Sequence, residues 1–416
     1  MLKTMFRNAL WGMYLLVFLI PQPNIWYKFH DYPFGKDFMD LLIVAILIGI
    51  ILQKIELQKS SNTYLIIAHL TMVYISVWIS SLSFSLPLPI STSSSLVIEY
   101  KNYVEMVLMY FLAFNLIRDE KQKKVLIIIM ACVLLLIAIR IFRNFDVGGS
   151  FRWDKRAGGP FETVGLGANH MGAFFAQYAF IFLALFFIDK NKKRKLLFLS
   201  TALFSLYPIF YAYSRGAYLA TTCVLLLYGW LKKRILLILL IILFVSWQTI
   251  LPVSVVDRIN MTVDESGEME NSAGGRLDLW GLAFELFEEN PLIGIGFDGY
   301  AMSMGGVETS RGKTKEHQDV HSIFMRILCE QGIVGFIIFI GILFRAFRSG
   351  WLLFRSGEQT WESGLGLGFL GCVTGVAITN LFGDRWSYFV LGSYFWIFWG
   401  LVDRYLFDLK GAKQVS

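Results

Sequence analysis

Long apolar runs with almost no charge recur from one end of the chain to the other, among them Tyr64 to Leu86, Val125 to Ile139 and Ile235 to Leu251. A helix rising 1.5 Å per residue needs about 20 apolar residues to cross a bilayer, and these runs approach or reach that length. Hydropathy predicts about twelve membrane helices, near residues 5–25, 38–53, 63–86, 102–117, 124–142, 170–188, 196–213, 215–230, 234–251, 322–346, 363–383 and 387–407. The seventh and eighth read equally as one broken unit. The expected fold is an all-α polytopic membrane protein, a single integral membrane domain over residues 1–416.

With an even count both termini lie on one side, and the loops sort by charge. Arg118 to Lys124 carries four basic residues, Asp189 to Lys195 five, Lys232 to Arg234 three and Arg345 to Arg355 three. By the positive-inside rule these loops and both termini are cytoplasmic. Three longer segments then face outward: Pro87 to Lys101, Arg143 to Asn169 and, largest, residues 252–320 between the ninth and tenth helices. Loops this long usually do something, so the chemistry is expected on the outer face.

Composition sharpens this picture. The chain is 56% apolar and 17% charged, against roughly 25% charged in a soluble globular protein, which excludes both a soluble fold and a disordered chain. The excess of 38 Lys+Arg over 31 Asp+Glu needs no nucleic-acid partner. Cys132, Cys223, Cys329 and Cys372 lie inside apolar runs, without metal or disulfide spacing, and read as packing residues. Leu10 to Ile20 reads as the first span rather than a cleaved signal.

Candidate chemistry clusters at the outer boundary. Arg276 to Glu289 is an amphipathic helix with Leu277, Trp280, Phe284 and Phe287 on its apolar face, capped by Asn271 or Ser272 and stopped by Pro291. Arg276 is misplaced at the positive helix end unless an anion sits there. Gly294 to Gly299 fits GxGxxG literally, but it follows a helix and opens no βαβ unit, so its glycines are read as close turns and Asp298 as a candidate substrate contact. His317 and His321 are spaced as two ligands on one helix face, yet no third ligand matches, so no metal and no cofactor is expected. His321, at the mouth of a span, is the better general base. Arg215 in Tyr213-Ser214-Arg215-Gly216 sits at membrane depth, where an arginine is costly without a cavity or partner. Arg152, Arg156 and Arg385 add positive charge on the same side, against the inside bias, as an anion pocket suited to phosphate would require.

Taken together, Ser214-Arg215-Gly216-Ala217, Gly275-Arg276 with Trp280, Asn290 to Gly296, and His321-Ser322 running into Glu330 to Gly335 resemble the O-antigen ligase and polymerase superfamily of bacterial surface-polysaccharide assembly. The resemblance spans roughly residues 160 to 345. It implies a GT-C-like helical bundle in the inner membrane, its site on the periplasmic face, and metal-independent, inverting transfer of a glycan from an undecaprenyl-pyrophosphate carrier to an acceptor hydroxyl. Arg215 and Arg276 would hold the pyrophosphate, and His321 would orient or deprotonate the acceptor. The family motif often has Asn where this chain has Ser322. Arg156, His317, Asp298 and Arg385 are proposed as substrate contacts from charge and placement alone. The single long outer loop favours a ligase acting on a lipid A-core sugar or another glycan acceptor; the alternatives are a polymerase extending carrier-linked repeat units and a lipid-linked-sugar transporter. Against the transporter stands the lack of a convincing internal repeat.

Overall fold

The computed structural model of the chain describes residues 8–90, 94–145, 149–261, 271–304 and 319–415, the side chains of 271–274 and 412–415 excepted. Among the described residues the fold is helical throughout, without a strand. Besides the short turn of helix Pro23–Trp26, nine helices among the described residues precede the large loop: α1 (Ala9–Leu19), α2 (Phe38–Leu52), α3 (Thr63–Ser83), α4 (Ser95–Leu116), α5 (Glu120–Asn144), α6 (Ala168–Phe186), α7 (Lys192–Tyr211), α8 (Arg215–Leu231) and α9 (Ile235–Ile250). The loop contains α10 (Val253–Asn260) and α11 (Asn271–Glu289), and α12 (Ile323–Phe354), α13 (Trp361–Leu381) and α14 (Phe389–Val415) complete the chain.

A helix occupies each of the twelve apolar windows, but fewer reach spanning length and apolarity. Five do so among the described residues, α3, α5, α6, α12 and α13, and α9 with α10 makes a sixth if that pair, bent by 102°, is one span. α1 and α2 are shorter. α4 and α14 have the length, but Glu99, Lys101 and Glu105 in one and Asp403 and Arg404 in the other dilute their apolarity. These helices make the chain a polytopic membrane protein.

Close backbone approach builds the core. A Cβ on Gly368 of α13 would lie 2.9 Å from the Ile181 side chain of α6, and one on Gly375 would lie 3.0 Å from the Ala176 carbonyl, so only glycine lets these helices pack as they do. Likewise α14 rests on α4 through Gly400, whose Cβ would fall 2.3 Å from the Tyr110 carbonyl, beside a cluster of Tyr110, Trp396 and Trp399 rings. The charge that α14 carries inward is met: Asp403 accepts hydrogen bonds from Asn62 (2.7 Å), Ser349 (2.7 Å) and Tyr110. By contrast, no residue of α9 is buried and every face of it is apolar, as befits a helix in contact with lipid.

Candidate anion-binding site

Three turns and two helices converge on the site. The first turn reverses the chain between α7 and α8: Tyr213 takes a left-handed conformation (φ 50°), Ser214 is extended as N-cap, and Arg215 becomes the first residue of α8. This turn presses on α6 so closely that a Cβ on Gly172 would lie 2.8 Å from that of Ala212. The segment after residue 150 then lies along the turn, Ala157 donating its N–H to the Tyr211 carbonyl at 2.9 Å. Arg156 is clamped there, donating to the Ala212 carbonyl (2.6 Å) and to Asn169 Oδ1 (2.6 Å).

Pro252 follows the break after α9, and the 102° bend carries α10 back over the same turn. Tyr213 donates to Ser254 Oγ at 2.8 Å and the Phe151 N–H donates to Asp257 at 3.3 Å. Arg258, buried on α10, lies over the Trp153 ring at 4.5 Å and the Phe151 ring at 5.3 Å, with its Nε 3.4 Å from the Tyr213 carbonyl. A further wall is the turn between α13 and α14. Arg385 there donates to the Asp384 carbonyl at 2.7 Å and lies 3.0 Å from His170 Nε2. Finally α11 contributes Arg276.

The result is a cavity of about 110 Å³ lined by Arg156, Arg215, Arg258, Arg276 and Arg385 together with Trp153, Asn169 and Ser214. Burial, then the charges of Arg258 and Arg385, lower the Arg156 guanidinium to about 10, and burial likewise lowers Arg385, with Arg276 among the opposing charges. Five guanidiniums held this close repel one another, and an anion between them relieves the repulsion. The sequence anticipated Arg156, Arg215, Arg276 and Arg385 at one anion site, and the structure brings these four together. It missed Arg258, whose place depends on the bend at Pro252; the signal available was an arginine in a short stretch, Val253 to Asn260, with alternating polar and apolar faces.

His321 does not line the cavity. It stands at the entry to α12 in a left-handed conformation (φ 54°), with Nδ1 3.8 Å from an Asp319 carboxylate oxygen. It lies within electrostatic reach of His170, the neighbour of Arg385, on the Arg385 side of the site. Trp280 of α11 donates to the Val320 carbonyl at 3.1 Å, so the helix that carries Arg276 also anchors the segment carrying His321. The buried face of α11 runs through Leu279 and Ala283, against Tyr300, Val320 and Cys329, whereas Leu277 and Phe284 of the expected apolar face stay exposed. His317 lies outside the described residues.

Asp298 stands apart from the cavity's arginines. It lies outside the cavity wall and pairs with Arg326 at 3.1 Å, within a cluster where Arg326 also meets Glu330 (3.2 Å) and Asp384 (2.8 Å). Burial opposes the charge on Asp384, yet Arg326 and the N–H groups of Ser387 and Trp386 outweigh it and hold the carboxyl below the usual range. This cluster, with Asp298 as one of its members, fixes the Asp384-Arg385 turn from behind. The glycines near it serve backbone contact, as expected. The helical ladder of α12 breaks at Gly332 (φ 62°), and residues 291–297 run along the break: Ile295 and Gly296 donate to the Cys329 and Glu330 carbonyls at 3.0 Å, while Ile333 and Val334 donate back to Pro291 (2.9 Å) and Leu292 (3.2 Å).

These features define a polytopic membrane protein with an arginine-lined cavity. Residues 200–340 match the family model described as O-antigen ligase, and the resemblance carried by the motifs holds over that stretch, which includes Arg215, Arg258, Arg276 and His321. The match supports an enzyme of the ligase or polymerase type acting in polysaccharide assembly. No curated protein matches the chain.

Proposed function

We propose that the protein transfers a glycan from an undecaprenyl-pyrophosphate carrier to an acceptor hydroxyl on the periplasmic face of the inner membrane, as an O-antigen ligase does. The observation that carries this reading is the five-arginine cavity, whose size and charge suit a pyrophosphate. Guanidinium forks pair bidentately with phosphate oxygens and stabilise the charge that grows on the leaving group as the glycosidic bond breaks. His321 takes the proton of the acceptor hydroxyl as its oxygen attacks the anomeric carbon from the face opposite the pyrophosphate. The Asp319 carboxylate, 3.8 Å from Nδ1, stabilises the imidazolium and leaves Nε2 for the hydroxyl. Fixed cations and a base are sufficient for so good a leaving group, and turnover is expected to persist in chelator.

The test is incubation of purified protein with an undecaprenyl-pyrophosphate oligosaccharide, with and without a lipid A-core acceptor. A conjugate formed only with the acceptor supports the ligase, and a ladder growing from the donor alone replaces it with a polymerase. Arg215→Ala or Arg276→Ala should lower turnover by about 10²- to 10³-fold, the usual cost of one oxyanion-stabilising group. Near-normal turnover in either variant removes that arginine from the mechanism.

A further inference from the structure

The arginine cavity has room for a charged head group and little else, so the sugars of any substrate must lie beyond it. A second cavity, of about 450 Å³, adjoins it and shares Arg156 as a common wall. Among the residues that line it are Asn24, Arg140, Asn144, Asp154, Lys155 and Glu162, between the outer ends of α1 and α5 and the segment that leads to α6. The lining mixes amides, the Thr163 hydroxyl, three cations with Arg156 counted, two carboxylates and the apolar faces of Ile141, Phe145 and Pro160. A lipid tail would meet charges on several sides, and a second phosphate would meet Asp154 and Glu162 beside the cations, whereas the apolar faces suit the C–H face of a sugar ring. A chain of hydroxyls, each both donor and acceptor, suits such walls. One group already calls for a donor: Asn24 Oδ1 is buried without a hydrogen-bond partner among the described residues. The turn bearing Asn24, Pro23–Trp26, packs on the Gly159–Val164 segment that forms the opposite wall. Just beyond it Tyr27, Tyr32 and Phe34 expose their rings, flat apolar surfaces of the kind that receive the C–H face of a sugar.

We infer that this second cavity is a carbohydrate subsite, holding the sugar residues of a lipid-linked glycan while the arginine cavity holds its phosphates. The inference rests on the transferase reading and names where that enzyme grips its glycan. Arg156, between the two cavities, marks the junction of charged and neutral substrate.

The test is the double variant Asn144→Ala/Glu162→Gln, at exposed positions, with Asn24→Ala as a second. With donor and acceptor varied separately, the KM for one glycan should rise about tenfold, the loss of one or two hydrogen bonds, while kcat stays near the wild-type value. A rise in the donor's KM assigns the cavity to the donor chain and a rise in the acceptor's assigns it to the acceptor; no rise in either overturns the subsite while leaving the transferase standing. If the wild-type protein turns over no lipid-linked donor, the transferase reading falls, and the cavity is judged by binding alone. For that, carrier-linked repeat oligosaccharide from the producing cells, freed by mild acid, is titrated while Trp fluorescence is followed. Saturable quenching in the wild type that both variants lose supports the subsite. Equal titrations in all three proteins, or none in the wild type, overturn it.

Discussion

Arg258 shows how a single side chain gathers several roles. Its guanidinium lies on Trp153 and Phe151, approaches the Tyr213 carbonyl, and faces the cavity with four other arginines. Arg258→Ala is therefore expected to abolish the thermal stabilisation that inorganic pyrophosphate gives the wild-type protein, about 2.7 kcal/mol at a hundredfold excess over Kd, in a melting experiment in detergent. Arg156 adds a dependence on pH. Because its pKa falls to about 10, it loses its charge as pH rises through that value, and pyrophosphate affinity should fall with it. The stability of the empty protein runs the other way. Between about 10 and the ordinary arginine value the unfolded chain binds the extra proton, so Arg156 contributes increasing stability as pH rises. Calorimetric titration with pyrophosphate at successive pH values checks the first effect, and the loss of the drop in Arg156→Ala assigns it.

At the scale of elements, the motifs legible in the sequence prove to be pieces of one joint. Asn290 to Gly296 and Glu330 to Gly335 read as separate glycine-rich stretches; in the structure each supplies the backbone partners that the other lacks. The pairing was not legible because it depends on the break at Gly332, a choice of backbone that tertiary contact makes. The same limit hid Arg258: a bend at Pro252 is readable, its 102° angle is not. By contrast, Arg215 was legible because an arginine at membrane depth asks for a cavity or a partner, and Arg276 because the sequence placed it at a helix start, although the helix begins earlier, at Asn271. The joint makes a firm prediction at Gly332. A Cβ there would lie 2.4 Å from the backbone of Leu292, and the left-handed conformation would add strain of about 1–3 kcal/mol. Gly332→Ala should lower the melting temperature and also weaken turnover, since Arg276 lies before one half of the joint in the chain and His321 before the other.

For the whole molecule, the apolar pattern located the helices well and the spans less well. Among the described residues, length and composition qualify five or six of the twelve windows, in part because packing within the bundle lets α4 and α14 carry charges such as Asp403 that hydropathy alone penalises. The orientation expected from the basic loops is open to direct test. A cysteine at Glu162 should react with an impermeant maleimide added to intact spheroplasts, one at Lys193 only after lysis, and the reverse pattern would turn the site to the cytoplasm. The five-arginine cavity has one further consequence for an enzyme of the proposed kind. Guanidiniums that stabilise a departing pyrophosphate also hold the spent carrier, so the exhausted lipid is expected to compete with the loaded one for the same cavity, and its removal by the cell would keep the site open for the next transfer.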